Sequence, residues 1–183
     1  MNRVFNCCLF LTVCLTSLTA WCLADEKATD PKKPASAATA QFEQLKKLVG
    51  EWSGTGEHVG QDKFETTVKY RLTANGSTLV ETLFCDSDHE MFTMYHLDGD
   101  RVLLTHYCAA GNQPRMRAES SADPKTIAFK FLDGTNLKPD TDLHMHDATL
   151  KFVGDDHIQT EWILHVKGQP AGAAKFDLKR KKK

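Results

Sequence analysis

The 183 residues include 23 Lys and Arg against 24 Asp and Glu, which gives a formal net charge of −1 at pH 7. This balance argues against nucleic acid as a partner, because proteins that bind it concentrate positive charge. The closing basic run, residues 179–183, predicts a solvated tail, with attraction to phosphate or to a membrane surface as the alternative. The length allows one folded domain of ordinary size.

The first residues of the chain have the layout of a secretory signal peptide. Arg3 is the only charged residue among residues 1–24, and the apolar core, residues 9–15, is shorter than the roughly 20 residues of a membrane span. Cys22 and Ala24 place small residues before a cleavage site. We expect residues 1–24 to be a cleaved signal peptide, which predicts a periplasmic or extracellular protein without a membrane span after cleavage. An uncleaved N-terminal anchor is the alternative.

Residues 25–39 are rich in Lys, Pro, Ala, Ser and Thr and predict a disordered linker, which leaves residues 40–183 as the folded domain. Cleavage would leave 22 basic and 24 acidic residues, a formal net charge of −2. It would also remove four of the six cysteines, and only Cys85 and Cys108 would remain. An exported pair invites a disulfide. The two cysteines fall on predicted strands that are not neighbours, however, about 9.6 Å apart, and this argues against a bridge.

One helix is predicted, at residues 40–49. Phe42, Leu45 and Val49 recur at helical spacing, Thr39 is a candidate N-cap, and Gly50 follows the last turn.

The rest of the chain alternates apolar and polar residues with period two, which is typical of half-buried strands. Turn residues such as Asn75-Gly76 and Asp98-Gly99 separate the runs. The pattern predicts ten strands: 50–59, 63–72, 77–84, 90–97, 101–108, 114–121, 125–132, 143–153, 157–167 and 173–180. Short connections favour antiparallel neighbours, and closing the sheet removes its exposed edges. We therefore predict an all-β, about ten-stranded antiparallel up-and-down barrel with one short N-terminal helix.

The helix, the sequence Gly50-Glu51-Trp52 and the meander after it resemble the calycin superfamily, which includes lipocalins, fatty-acid-binding proteins and nitrobindin-like barrels. The resemblance covers most of residues 40–180. Those families place a Gly-x-Trp at the closed end, with a basic residue of the last strand packed on the Trp. The resemblance thus implies structural roles for Trp52 and Arg180.

The segment from Leu48 to Gly56 is most similar to the start of nitrobindin-like barrels, which bind haem through a histidine near the end of the chain. The final strand here, residues 172–180, contains no histidine, which puts that ligand in doubt. The block from Thr105 to Met116 is similar to a block found in a group of uncharacterised exported bacterial proteins. This resemblance implies no function, because none is known for that group.

Histidines concentrate in the half of the barrel that the meander assigns to the open mouth: His58, His89, His106, His144, His146 and His165. Alternation predicts that His144 and His146 face inward, as does His106, on the same face as Tyr95. Three such imidazoles suit a zinc ion, and we predict His106, His144 and His146 as candidate metal ligands. The alternatives are hydrogen bonding in a polar mouth, a proton relay, an anionic ligand and haem.

The longest predicted connection, residues 134–142, lies beside the segment 106–114 at the mouth. Polar loops over an apolar interior are typical of a ligand pocket. We predict a ligand site formed by His106, Tyr95, Arg115, Asn136, His144 and His146. Arg115 or Arg117 would hold a carboxylate, and the alternative for each is an exposed strand position.

These patterns predict an exported barrel that binds a small apolar or amphipathic molecule at its open end, with its cofactor unknown. The alternatives are a metal- or haem-binding protein or enzyme that uses His106, His144 and His146, and a structural or interaction module. No catalytic residue is assigned, because Cys108 near His106 has no identifiable orienting acid.

Expression of the full chain in an export-competent host tests the signal peptide. We expect the protein recovered outside the cytoplasm to begin at Asp25, as measured by intact mass and N-terminal sequencing. Replacing Leu11 with Arg interrupts the apolar core and should keep the full-length chain inside the cell. Recovery of an uncleaved, membrane-associated chain would support the anchor instead.

Overall fold

The computed structural model describes residues 36–182, so the predicted signal peptide and most of the predicted linker lie outside the described residues. One α-helix is followed by ten strands and a short 3₁₀ turn at Ala74–Gly76. The elements are α1 (Ala37–Lys46), β1 (Gly50–His58), β2 (Phe64–Thr73), β3 (Thr78–Leu83), β4 (Met91–Asp98), β5 (Arg101–Tyr107), β6 (Gln113–Glu119), β7 (Thr126–Thr135), β8 (His144–Gly154), β9 (His157–Val166) and β10 (Gln169–Arg180).

The strands form one closed antiparallel barrel in which each strand pairs with its neighbours in sequence and β1 pairs with β10. The closing ladder runs from Trp52 opposite Arg180 to His58 opposite Ala174. Closure satisfies the backbone groups that an open sheet would expose at its edges. The predicted fold class, an all-β up-and-down barrel with one short helix, is confirmed.

Helix α1 begins earlier than the sequence predicts. Ser36, not Thr39, is the N-cap: its side-chain oxygen accepts from the Thr39 backbone N–H at 3.1 Å. The helix thus extends into the predicted linker, and it ends at Lys46. Its buried residues are Ala38, Phe42 and Leu45. Among residues 36–182, no helix combines the length and apolar character that crossing a membrane requires.

The helix covers the end of the barrel at which the odd-numbered strands begin. The Gln41 side chain donates to the carbonyl of Glu119 at 3.2 Å, and the Gln44 side chain donates to that of Pro124 at 3.1 Å. These bonds fix α1 to the β6–β7 connection, so the other end of the barrel forms the mouth.

Arg180 joins the helix end, the first strand and the last strand at this closed end. Its guanidinium carbon lies 4.3 Å from the centre of the fully buried Trp52 ring. It also donates to the carbonyls of Val49 and Lys47, both at 2.7 Å. The Trp52 indole N–H donates to the carbonyl of Leu48 at 2.8 Å. The cation over the ring and these bonds hold the first and last strands together.

A β-bulge interrupts β8 between Met145 and Asp147 and inverts the alternation on which the inward prediction for its histidines rests. Met145 pairs with Leu164, and His144 pairs with His165, on the face opposite Trp162. His144 therefore does not point into the barrel, in contrast to the inward position that the alternation predicts.

Strands β7 and β8 separate near the mouth. Their ladder extends only from Thr126 opposite Lys151 to Phe129 opposite Ala148. The second half of β7 and the first half of β8 are therefore not paired with each other, which leaves a gap in the wall.

Neither cysteine of the described segment is bridged: Cys85 and Cys108 are both free thiols. Cys85 follows β3 and its thiol donates to the carbonyl of Thr82 at 3.4 Å, while Cys108 follows β5. Strand β4 lies between β3 and β5 in the barrel, and this separation agrees with the spacing argument against a bridge.

Replacing Arg180 with Met should reduce the free energy of unfolding by about 2–3 kcal/mol, because the cation over Trp52 and two hydrogen bonds to carbonyls are lost together. Urea denaturation followed by far-UV circular dichroism measures the change. Lys179→Met, at the exposed neighbouring position, is the matched control and should change stability by less than about 0.5 kcal/mol. Equal losses in both variants would contradict the role of Arg180.

Candidate functional site

A buried carboxylate lies at the centre of the barrel. Glu81 on β3 is 1% exposed, and its two oxygens accept hydrogen bonds from the hydroxyls of Tyr70 and Tyr95, each at 2.7 Å. Burial raises the pKa of Glu81, and hydrogen bonds from Tyr95, Tyr70 and Thr93 oppose that shift. The bonds replace the water that the carboxylate loses on folding.

Both tyrosines remain hydrogen-bond donors to this carboxylate. Burial, together with the charge of Glu81, raises the pKa of Tyr70 and of Tyr95 well above the usual tyrosine value. Tyr95 is interior, as the sequence predicts, but its hydroxyl is already engaged by Glu81. Tyr95 therefore has a structural role, as a hydrogen-bond donor to Glu81.

His106 continues the polar chain toward the mouth. It is 2% exposed, and its Nδ1 lies 3.0 Å from the hydroxyl oxygen of Thr93. Its Nε2 is buried and has no hydrogen-bond partner among the described residues. Burial lowers the pKa of His106 to about 4, so the ring is neutral at neutral pH. A buried nitrogen without a partner is costly and marks a candidate binding group.

His106 borders a small apolar cavity of about 30 Å³ on the mouth side of the barrel. Its lining residues are His58, Leu83, Phe84, Met91, His106, Met145, Trp162, Ala174 and Phe176. The Trp162 ring centre lies 4.9 Å from that of His106, and its indole nitrogen is likewise buried without a partner in the described chain. Both residues thus border the cavity and carry a buried nitrogen without a partner, while the surface that lines the cavity is itself apolar.

Packed aromatic side chains form one side of the cavity. The rings of Phe64, Phe84 and Phe176 contact one another with centres 6.0–6.4 Å apart, and His58 lies 5.8 Å from Phe64. We call these four residues the aromatic plug. Phe84 has a φ of 54°, a left-handed conformation that is unfavourable for a bulky residue, and strain of this kind often marks a functional segment.

Haem does not fit the interior as folded. The imidazole of His106 has a free nitrogen, but a cavity of about 30 Å³ is an order of magnitude smaller than the roughly 300–1,000 Å³ of sites for cofactor-sized ligands. Strand β10 contains no histidine.

A second histidine cluster lies at the gap between β7 and β8. Each of His144, His146 and His165 offers a ring nitrogen, and the three nitrogens lie within 4.8 Å of one another. His144 Nε2 lies 3.0 Å from His146 Nδ1, and the rings of His146 and His165 are stacked with centres 3.8 Å apart and planes 3° apart. We call these three residues the histidine cluster. His106 is not a member, so the predicted trio of His106, His144 and His146 does not converge.

Neighbouring side chains hold the histidine cluster in place. Asn112 donates to the carbonyl of Leu143 at 2.7 Å, immediately before His144, which is fully buried. Phe131 stacks on the other side of His146, with ring centres 4.6 Å apart. Desolvation, followed by the charge of neighbouring histidines, lowers the pKa of His146 and of His165. Both shifts disfavour the charged form of these two imidazoles.

The other two predicted ligand residues lie outside the interior. Arg115 is on the surface and makes a two-point ion pair with Asp133 on the neighbouring strand. Asn136 has a φ of 51° and donates to the carbonyl of Gly111 at 2.7 Å, which joins the two mouth loops. The loops adjoin as the sequence predicts, but neither side chain borders the His106 cavity.

Two wider hollows lie outside the barrel interior. One, of about 370 Å³, borders strands β1, β8, β9 and β10 and includes charged residues such as Lys151, Glu161 and Lys175. The other, of about 470 Å³, lies between α1 and the turn at residues 75–78. Both are wide open to solvent, and neither holds a buried polar atom left without a partner in the described segment. The interior cavity is the better candidate for binding.

Sequence reasoning missed Glu81, Trp162 and His165 as members of these sites. Glu81 lies between Leu79 and Leu83 on β3, at a position that the alternation assigns to the interior. An acidic residue at an interior position indicates a buried polar site, and the sequence therefore contained a signal for it. Trp162 was visible as an inward residue of β9. His165 joins the histidine cluster because of the bulge in β8, which no residue pattern announces.

The sequence matches none of the protein-family models against which it was compared. No curated protein matches it either. Two solved structures are similar in fold. One is a protein with unknown function from the DUF3598 family of Nostoc punctiforme PCC 73102, with a TM-score of 0.55 and 18% identity over 75% of this chain and 49% of that protein. The present chain thus spans about half the length of the Nostoc protein.

The second solved structure is Rv2717c from M. tuberculosis, with a TM-score of 0.53 and 17% identity over 82% of this chain and 99% of that one. Identities this low show a shared fold and carry no activity across. The chain is a ten-stranded antiparallel β-barrel whose site must be understood from its own residues.

Acid titration of stability tests the burial of His106. Its pKa is about 4 in the folded protein against 6.5 for an ordinary histidine, so the unfolded chain binds a proton more readily between these values. The stability that neutral His106 contributes is therefore complete above about pH 6.5 and is lost as the pH falls toward 4, by about 3 kcal/mol in total.

The variant His106→Gln keeps a polar partner for Thr93 but does not titrate, so its stability should fall by about 3 kcal/mol less than that of the wild type over the same range. His89→Gln, at an exposed position, is the control and should follow the wild type. Urea denaturation at a series of pH values measures all three proteins. Superposable curves for His106→Gln and wild type would show that His106 titrates normally.

Proposed function

We propose that this protein is an exported, calycin-like barrel that binds a small amphipathic molecule through a hydroxyl group held between His106 and Trp162. The observation that carries the proposal is the pair of buried nitrogens without partners in the described chain, on two residues that border one apolar cavity. Such a site combines an apolar body with a few convergent polar groups, as small-molecule sites do.

The direction of the hydrogen bonds selects the ligand class. Thr93 lies directly opposite Glu81 on the neighbouring strand, and we infer that its hydroxyl hydrogen is turned toward that carboxylate. Its single hydrogen is then used, so its oxygen accepts from His106 Nδ1–H. A neutral ring with its proton on Nδ1 has a lone pair on Nε2.

The indole of Trp162 supplies the opposite polarity, because its nitrogen can only donate. A ligand between the two groups therefore needs one atom that donates to His106 and accepts from Trp162. A hydroxyl does both. The remaining wall, including Leu83, Met91 and Phe176, offers apolar contacts to the rest of the molecule.

The size of the cavity sets the way in which a ligand enters. A volume of about 30 Å³ is enough for a group of the size of a water molecule, so the cavity as folded accommodates the hydroxyl and has no room for an apolar tail as well. An apolar tail must displace part of the aromatic plug. Phe84 is the residue best placed to move, because it is half-buried and its backbone relaxes when it leaves the left-handed conformation.

The proposal includes export, which would place the meeting of protein and ligand outside the cytoplasm. The support is the arrangement of the N-terminal residues, with one positive charge, an apolar core and small residues before Asp25. A chain exported unfolded would meet its ligand only after it folds, which favours a ligand present in the periplasm or outside the cell.

Titration of the full mature chain with benzyl alcohol, and in parallel with toluene, tests the proposal. The indole N–H resonance of Trp162, followed by ¹H–¹⁵N NMR, should shift with benzyl alcohol. Benzyl alcohol should bind about tenfold more tightly than toluene, because one satisfied hydrogen bond in a buried site contributes about 1.4 kcal/mol.

Two variants assign the effect to the proposed groups. His106→Leu and Trp162→Phe should each remove the preference for the alcohol while retaining weak binding of toluene. Phe84→Ala opens the aromatic plug and should tighten binding of both probes. Equal affinities for benzyl alcohol and toluene in the wild type, or no shift of Trp162 with either probe, would overturn the hydroxyl site.

A further inference from the structure

We propose that His144, His146 and His165 form a binding site for one divalent transition-metal ion of the zinc or copper class, with water completing the coordination. The site is separate from the hydroxyl site at His106 and uses none of its residues. Three imidazole nitrogens with an open position suit these ions, and imidazole is a preferred ligand of both.

The distances already approach those of a metal centre. Two nitrogens bound to one tetrahedral zinc at about 2.0–2.1 Å lie about 3.3 Å apart. His144 Nε2 and His146 Nδ1 are 3.0 Å apart, and all three ligand nitrogens lie within 4.8 Å of one another. The spacing of the pair is therefore already close to that of two zinc ligands, and His146 and His165 need only local adjustment to complete the site.

His144 has the orientation of a metal ligand. Its Nδ1 lies 2.9 Å from the carbonyl oxygen of Asp142, and a carbonyl can only accept, so Nδ1 carries the proton. Its Nε2 then presents a lone pair toward His146. A backbone carbonyl that fixes the outer nitrogen of a histidine is the usual support of a metal-bound imidazole.

Metal binding replaces the hydrogen bond between His144 and His146. Without an ion, His146 Nδ1–H donates to the lone pair of His144 Nε2. With an ion, the proton of His146 resides on its own Nε2, and both nitrogens that faced each other donate to the metal. The ring stays neutral, so this exchange changes its tautomer and releases no proton.

His165 must rotate to complete the site. Its ring is parallel to that of His146, and in-plane lone pairs of parallel rings do not converge on one ion. Both side chains are half-buried, which leaves room for a change of side-chain torsion. His144, by contrast, is fully buried and fixed, so it acts as the anchor to which the other two adjust.

The local charge favours a cation in part. Asp147 follows His146 directly in β8 and carries a negative charge beside the histidine cluster. Its carboxylate also accepts from Lys130 at 2.7 Å and from the backbone N–H of Phe131 at 3.3 Å. These bonds join β8 to β7 just after the bulge and occupy the carboxylate of Asp147, so Asp147 is not among the proposed metal ligands.

Zinc uptake by the full chain, produced without a polyhistidine tag, tests the proposal. Equilibrium titration with Zn²⁺ against a chromogenic chelator should show one ion per chain. His146→Phe and His165→Phe retain an aromatic ring in the stack but lose the ligand nitrogen, and each should weaken binding by about 100-fold. Circular dichroism checks that both variants remain folded.

Two further variants serve as controls. His89→Phe removes an exposed histidine and His106→Leu removes the interior one, and both should bind Zn²⁺ as the wild type does. No stoichiometric uptake by the wild type, or unchanged affinity in His146→Phe and His165→Phe, would overturn the site. Loss of binding in His106→Leu would instead point to the trio of His106, His144 and His146. The test of the hydroxyl site uses an alcohol and variants of His106 and Trp162, whereas the test of the metal site uses Zn²⁺ and variants of His146 and His165. Either proposal can therefore be overturned without the other.

Discussion

Closure of the sheet between β1 and β10 is the constraint on which the rest of this molecule depends. The ladder from Trp52 to His58 removes the two edges that ten strands would otherwise expose. Arg180 secures the closed end through Trp52 and the carbonyls that follow α1. Once the barrel closes, every second residue of each strand lies in an interior that excludes water.

A dry interior determines the chemistry of the polar groups in it. Glu81 is tolerated because two tyrosine hydroxyls donate to it, and the same burial raises its pKa. His106 is kept neutral by burial, with one nitrogen bound to Thr93 and the other unsatisfied. An interior with spare hydrogen-bonding capacity and almost no spare volume suits recognition of one polar group on a small ligand.

The bulge in β8 gives the barrel wall a different character near the mouth. It brings His144 opposite His165 and leaves β8 unpaired with the second half of β7. Phe131 and the histidine cluster occupy this gap as stacked rings. The bulge thus brings His144 to His165 and leaves His106 in the interior apart from them.

The period-two alternation of residues 50–180 was enough to predict the ten strands, their order and closure, because each strand has one buried face and turn residues mark its ends. The same rule placed His106 and Tyr95 correctly in the interior. It failed at His144 because a bulge changes the phase without a distinctive residue. It missed Ser36 as the helix cap, since Ser36 and Thr39 are equally good capping residues. Cavity volume depends on how aromatic rings pack in three dimensions, and residue types alone do not fix it.

The protonation state of His106 tests the central claim most directly. Side-chain ¹⁵N NMR of the full chain distinguishes the two nitrogens of each imidazole. The account predicts a neutral His106 with its proton on Nδ1 and a bare Nε2 at every pH above about 4. A ring protonated on Nε2, or one that titrates near pH 6.5, would contradict it, because the interior would then lack the hydrogen-bond acceptor that the proposed site requires.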